Sequence, residues 1–311
     1  MIPGRVYGPV PSRRLGRSLG VDLVPWKTCT YDCIYCQLGS TTCRTLGRRT
    51  HARADEVLPE LEHALTHGPR PDFISLAGSG EPTLDLELGP ILQGIKKLTT
   101  IPVAVLTNGS LLHLPAVREA LEPADVVLPS LDAGDEEAFH RINRPHPGLA
   151  FGAILEGLGR FTAHFPGEVW LEVMLVAGQN DGQDELRRIA HLAGSIGPAR
   201  IQLNTVERPA AVEGVEALPV EALQAALALF PGGSEVIAGT PSPVQDAALS
   251  TDPESALVEL LGRRPCRAAD ASLGLGIAPL EVLKYLHRLQ AAGQIESLHL
   301  HGDLYYRAAR G

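Results

Sequence analysis

Three features of the sequence predict an α/β fold: a partial, open (β/α)6 barrel of the TIM type with a C-terminal winged-helix module. Six compact apolar stretches recur between residues 20 and 204, each separated from the next by a helix-sized interval. Residues suited to chemistry fall at the ends of those stretches. Past residue 251 the alternation gives way to three helical segments and a hairpin. Alternating β and α units imply parallel strands with right-handed crossovers. Near-continuous apolar strands fit a sheet covered by helices. Six units are too few to close an eight-stranded barrel, and reactive residues are expected at the C-terminal strand ends, as in the full barrel.

Gly20-Val21-Asp22-Leu23-Val24 reads as the first strand, stopped by Pro25. Val57, Leu58, Leu61 and Leu65 give helical spacing within Asp55 to His67. Phe73-Ile74-Ser75-Leu76-Ala77 is the second strand and runs into Gly78-Ser79-Gly80-Glu81-Pro82. A helix at Leu86 to Leu98 precedes a strand at Pro102 to Leu106, which ends at Thr107-Asn108-Gly109. The pattern continues with a helix near 115–122, a strand at Asp125 to Leu131, and helices within 135–141 and 149–164. A strand at Val169 to Val176, a helix at 183–195 and a strand at Arg200 to Asn204 complete the six units.

The chain is organised around Cys29-Thr30-Tyr31-Asp32-Cys33-Ile34-Tyr35-Cys36. Cys29, Cys33 and Cys36, spaced C-x3-C-x2-C, suit three irons of a cubane [4Fe–4S] cluster, with the fourth iron open to another ligand. A structural zinc site with Cys43 as fourth ligand is the other reading of the cysteines alone. Five cysteines, an odd number with three clustered, argue against a secreted disulfide scaffold and for a reducing cytoplasm. At 44% hydrophobic and 20% charged residues, the composition is that of a soluble globular protein. No run of 18 apolar residues offers a membrane span, and Met1 to Arg5 lacks the apolar core of a secretory signal.

The formal charge of −9 is unevenly spread. Residues 1–53 carry nine Lys and Arg against two acids, a local +7 that leaves −16 for the remainder. A basic segment around the cysteine loop would attract nucleic acid or a phosphorylated substrate, unless its arginines are ion-paired surface.

The six strand ends gather Cys29, Ser79-Gly80-Glu81, Thr107-Asn108-Gly109, Ser130 with Asp132, Asn180-Asp181 and Asn204 at one rim. Singly, each has a plainer role as a turn former or a helix cap. Together, over residues 5–230, they resemble the radical S-adenosylmethionine (radical SAM) superfamily. Cys29, Cys33 and Cys36 match its C-x3-C-x-aromatic-C motif, with Tyr35 at the aromatic position, and Gly80-Glu81-Pro82 matches its glycine-rich segment. Gly8 to Arg14 and Phe139 to Pro145 resemble the group related to tRNA wyosine-base (imidazoG) synthase.

That resemblance implies reductive cleavage of S-adenosylmethionine to a 5′-deoxyadenosyl radical at one [4Fe–4S] cluster, fed by an external one-electron donor of flavodoxin or ferredoxin type. It implies cofactor contacts at Tyr35 near the adenine, at Gly80 through close backbone approach, and at Glu81 toward the methionine ammonium. Asn108, Ser130 and Asp132 are candidates for the ribose hydroxyls or the carboxylate. Glu172 and Asn204 are weaker candidates, since Glu172 could be spent on an arginine. Arg141 and Arg144 could neutralise the carboxylate or a substrate phosphate. One departure stands out. No cysteine precedes Cys29, so the second cluster of the wyosine-base synthases has no ligands here, and none of the four lysines, Lys27, Lys96, Lys97 and Lys284, marks a Schiff-base site.

The expected organisation is a barrel over 1–230, a linker or irregular extension over 231–251, and a winged-helix module over 252–311. In the last, helices at Glu254 to Leu261, Ala268 to Leu275 and Pro279 to Ala292 precede a hairpin of Ile295 to Leu300 and Leu304 to Arg307, turning at His301-Gly302-Asp303. Leu280, Leu283, Leu286 and Leu289 are read as one apolar face. Seven acids and seven bases make the module neutral, which favours docking over DNA binding. His299 and His301, alternating on a strand, suggest either a metal site or, the reading preferred, wing-surface residues. Two substrate classes follow: tRNA or a nucleotide from the basic N-terminal segment, or a peptide captured by the winged helix. A metal-stabilised DNA-binding regulator is the non-enzymatic alternative.

Overall fold

The computed structural model describes residues 4–238, 253–300 and 303–309. The turn residues His301 and Gly302, and most of the expected linker, lie outside the described residues.

Eight strands form one sheet among the described residues, and six of them are the expected ones. They are β2 (Gly16–Val21), β5 (Phe73–Leu76), β6 (Val103–Leu106), β7 (Val126–Leu128), β8 (Glu168–Leu175) and β9 (Arg200–Thr205), parallel in that order. Helices α1 (Ala54–His67), α2 (Leu88–Leu98), α3 (Pro115–Leu121), α4 (Glu136–Ile142), α5 (Phe151–His164) and α6 (Gln183–Ile196) fill the crossovers. Alternation along each strand sorts the packing. Ile74, Leu76, Val103, Val105, Val127, Leu171, Val173 and Leu203 are buried in one apolar cluster with residues of the helices. The inward residues Ala104, Leu106, Val126, Leu128 and Trp170 form a separate apolar plug with Leu15 and Phe73.

Two edge strands extend the expected six. β1 (Val6–Ser12) pairs antiparallel with β2, and β10 (Ser234–Val236) pairs parallel with β9. Residues 234–236 therefore extend the sheet; α7 (Val220–Leu227) supplies the crossover before them. The first parallel strand also ends earlier than expected. Just past its end the Asp22 carboxylate accepts from the Ser79 N–H at 3.1 Å and the Ser79 hydroxyl. The edges β1 and β10 do not pair. Instead Arg13, just past β1, donates to the carbonyl of Ile237, just past β10, at 3.0 Å and pairs with Glu207. The sheet thus curls until its edges are one arginine apart, consistent with the expected partial barrel.

The basic N-terminal segment is largely spent in this way. Arg5 donates to three backbone carbonyls, Arg14 pairs with Glu172 at 3.0 Å, and Arg17 pairs with Asp72 at 3.2 Å. Arg48 binds the carbonyls of Thr83 and Asp85. These arginines build the fold more than they offer free positive charge.

C-terminal helices α8 (Pro253–Arg263), α9 (Ala268–Leu275) and α10 (Pro279–Ala291) surround a second apolar cluster with a three-stranded sheet. The sheet contains the expected strands β12 (Ile295–Leu300) and β13 (Asp303–Ala308) plus β11 (Cys266–Arg267). The buried face of α10 is Val282, Leu286 and Leu289, while Leu280 is 73% exposed and Leu283 46%. Steps of three residues drift about 60° round a helix, so four of them cannot share one face. The i, i+4, i+7 set can. His299 is exposed. Among the described residues, no helix is long and apolar enough to cross a membrane.

Candidate functional site

The cysteine loop lies at the C-terminal rim of the parallel strands and is held from three sides. Below it, the Lys27 N–H donates to the Ser79 carbonyl at 2.6 Å and the Glu81 N–H to the Thr28 carbonyl at 3.0 Å. Gly80 is required at this crossing: a Cβ there would sit 1.9 Å from the Thr28 carbonyl oxygen. Beside it, the two-residue strand β3 (Thr28–Cys29) pairs with β4 (Cys43–Arg44), leaving Cys43 exposed. On the third side the stretch Phe139 to Pro145 clamps the loop. The Asp32 and Ile34 N–H groups donate to the carbonyls of Asn143 and Ile142 at 3.1 and 2.9 Å, and Tyr31 packs edge-on against Phe139 at 5.4 Å.

Each of the three thiols faces a side-chain N–H donor. Lys27 Nζ lies 3.1 Å from Cys36 Sγ, Asn108 Nδ2 3.5 Å from Cys29 Sγ, and Asn143 Nδ2 3.6 Å from Cys33 Sγ. Burial pushes the Cys29 thiol up to about 12 and the Cys33 thiol well above its ordinary value, with Glu81 and Cys29 respectively adding charge repulsion. Donors aimed at sulfur are what metal-bound thiolates require. Among the described residues no three His, Cys, Asp or Glu side chains gather closely enough for a single metal ion. Cys266 lies elsewhere, buried in the C-terminal cluster.

The remaining expected contacts take more varied positions. Glu81 is 2% exposed, and its carboxylate accepts from the hydroxyls of Thr83 and Thr107 and the N–H groups of Thr83 and Asn108, at 2.6–3.1 Å. Burial raises its pKa and these donors oppose the rise. Its carboxylate thus ties two strand ends together. Asn108 bonds the Thr30 hydroxyl at 2.8 Å as well as facing Cys29, so its amide orients the loop.

Asp132 is 3% exposed and accepts from Tyr35 Oη at 2.5 Å, Asn143 Nδ2 at 2.7 Å and the Met174 N–H at 3.0 Å. Burial raises its carboxyl to about 6 despite those donors. It does not cap the following helix; Asp135 does, accepting from the Ala138 N–H at 2.8 Å. Ser130 is half-buried and makes no side-chain hydrogen bond among the described residues. Glu172 bonds Asn204 at 2.8 Å and pairs with Arg14, the arginine pairing foreseen for it. Arg141 donates to the Gln179 carbonyl at 3.0 Å and Arg144 is exposed. Lys27 and Asn143 went unremarked as partners of the cysteines. Adjacency to the motif was the available signal for the lysine; for the asparagine it was membership of the family-like stretch Phe139 to Pro145.

Comparison with known proteins places these features in a family. A model of the radical SAM superfamily matches residues 23–193. A protein named GTPase Obg from Brachyspira hyodysenteriae (strain ATCC 49526 / WA1) is 38% identical over 304 residues, 97% of this chain and 45% of that protein. The chain therefore spans less than half of that relative's length. A UPF0026 protein from Helicobacter pylori (strain ATCC 700392 / 26695) is 36% identical over 297 residues, 94% of each chain. In fold, the crystal structure of Streptococcus suis SuiB bound to S-adenosylmethionine overlays with a TM-score of 0.51 at 14% identity, covering 67% of this chain and 46% of SuiB. By the superfamily model and the matching cysteine motif at the strand rim, the chain belongs to the radical SAM superfamily, whose enzymes use a [4Fe–4S] cluster and S-adenosylmethionine.

Proposed function

We propose that Cys29, Cys33 and Cys36 carry one [4Fe–4S] cluster with an open iron for S-adenosylmethionine, in an enzyme that modifies a tRNA or nucleotide substrate. The observation that carries the cluster reading is the set of three N–H donors, one aimed at each thiol. Such donors stabilise thiolate charge and tune the potential of a bound cluster. When bound, cluster and cofactor together supply a 5′-deoxyadenosyl radical; the chain supplies position and exclusion of water.

In this reading Asp132 acts as a positioning residue. It fixes the Tyr35 hydroxyl and the Asn143 amide, so that Tyr35 presents its ring beside the cofactor and Asn143 its N–H to Cys33. Gly80 keeps the backbone of the second strand end close to the cysteine loop. Ser130, with its hydroxyl unspent, is the candidate for a ribose or carboxylate contact. Cys43 stays a spare thiol, since a fourth cysteine ligand would close the site to the cofactor.

Residues 1–230 then form the catalytic partial barrel, extended by 234–236, and residues 252–311 a winged-helix module. A cytoplasmic setting suits five free thiols, and an external reductant of flavodoxin or ferredoxin type completes the system. Kinship with the wyosine-base synthases rests on two motifs that serve the scaffold here, one bridging the sheet edges and one clamping the loop, so it is read as shared architecture. The peptide-modifying alternative has less support because the C-terminal module turns arginines toward the barrel. A DNA-binding regulator is set aside by membership of an enzyme superfamily. Anaerobic reconstitution tests the reading: about four irons per chain and reductant-dependent 5′-deoxyadenosine are expected, and bound zinc without that product would refute it.

A further inference from the structure

A cavity of about 1030 Å³ opens between the curled sheet and the C-terminal helices, within the size range of ligand pockets. Gln37, Gly78 and Gly80 line its end nearest the cysteine loop; Arg13, Arg208 and Arg264 line it from the sheet edge, the segment past β9 and the segment past α8. Most arginines there have carboxylate partners. Arg13 pairs with Glu207, Arg263 with Asp22 at 3.2 Å, and Arg267 with Asp270 at 3.1 Å.

Arg208 and Arg264 differ. Neither has a carboxylate within 4.0 Å among the described residues, although both are half-buried. Arg208 donates to the Gln37 side-chain oxygen at 2.9 Å, one residue beyond Cys36. The Nε–H groups of both arginines, like that of Arg263, are buried and unpartnered. Burial, then repulsion from Arg264, pushes the Arg208 guanidinium down to about 10. Two guanidiniums lining one cavity, neither spent on a carboxylate, favour an anion in that cavity.

A phosphate monoester fits that deficit better than a carboxylate. It carries roughly −1.5 to −2 of charge and three strong acceptor oxygens, and the arginine fork matches its geometry. We propose that Arg208 and Arg264 form a phosphate-binding pair that seats the phosphate of a nucleotide substrate, free or within RNA, beside the cysteine loop. The site needs both halves of the molecule, one arginine from each. The proposal rests on the function above only in calling the ligand the substrate.

The test is calorimetric titration of the purified full chain, without cluster, at fixed low ionic strength, with inorganic phosphate, uridine monophosphate, bulk tRNA and acetate. Phosphate should bind more tightly than acetate, and Arg264→Gln should weaken phosphate binding about tenfold or more. Arg264→Lys, which keeps the charge but loses the fork, should fall between the two and covers the case in which the glutamine variant unfolds. Lys97→Gln, on the exposed face of α2, should bind as the wild type does. Uridine monophosphate and tRNA separate the two sources of the phosphate, and tight binding of either supports the pair. Acetate binding as tightly as phosphate, or Arg264→Gln binding phosphate undiminished, overturns it. Absence of 5′-deoxyadenosine from the reconstituted wild type would sink the radical reading while leaving this site standing, so the two failures are distinguishable.

Discussion

Replacing Gly80 with alanine puts the architecture of the cysteine loop under direct strain. The new Cβ would lie 1.9 Å from the Thr28 carbonyl oxygen and 2.8 Å from its carbon, where ordinary contact begins at 3.4 Å. Both obstacles are backbone, so no side chain can swing aside; the two segments must part by about 1.5 Å. Parting breaks the Glu81 N–H to Thr28 bond and stretches the Lys27 N–H to Ser79 bond, worth about 1 kcal/mol each. Overpacking adds roughly 1–3 kcal/mol. The expected loss is therefore about 3–5 kcal/mol, a large share of a domain's typical stability of roughly 5–15 kcal/mol. Denaturant unfolding of the metal-free chain measures it, and iron content after reconstitution should fall as well because Thr28 adjoins Cys29. Gly159→Ala is the control: its Cβ meets nothing within 4 Å, and in mid-helix it should be neutral or up to about 1 kcal/mol stabilising. A Gly80→Ala protein within about 0.5 kcal/mol of wild type and fully loaded with iron would refute the crossing as drawn.

Two further expectations concern the loop's polar supports. Asn143→Leu removes the N–H facing Cys33; losing about 1 kcal/mol of thiolate stabilisation should lower the cluster's midpoint potential by roughly 40 mV, read by a redox titration. An unchanged potential would mean the amide does not reach the cluster. Asp132 sets a pH dependence. Burial raises its folded-state carboxyl to about 6 from an ordinary 3.8, so the folded chain holds the proton more tightly. Its contribution is whole below about pH 4 and declines as pH rises to about 6, by about 3 kcal/mol. In the metal-free chain, the stability difference between wild type and Asp132→Asn should fall across that window and then level off. A difference that rises with pH would show that the hydrogen bonds from Tyr35, Asn143 and Met174 outweigh burial.

The parallel units and the rim were legible because period and punctuation are local. A strand such as Phe73–Leu76 and its Gly-Ser-Gly-Glu exit sit together in sequence, and three cysteines in eight residues declare themselves. Pairings between distant segments were not legible. The edge strands β1 and β10 join through Arg13 and Ile237, more than 200 residues apart, with no periodicity to signal it. The ties of Glu81 were hidden because nothing in sequence tells a carboxylate that two threonine hydroxyls and two backbone amides will claim it. Asn143 was hidden behind its charged neighbours Arg141 and Arg144, which face outward while it turns inward. The apolar face of α10 was misjudged for a geometric reason, an i+3 series taken as a stripe.

The account stands or falls on whether the three thiols of the opening motif carry a cluster that accepts S-adenosylmethionine. The most direct measurement is dithionite-dependent release of 5′-deoxyadenosine by the anaerobically reconstituted full chain, run beside Cys33→Ser and Cys43→Ser. Release by the wild type and by Cys43→Ser, with none from Cys33→Ser, is the predicted result. Product from Cys33→Ser equal to that of the wild type, or a wild-type chain that binds zinc and yields none, would contradict it.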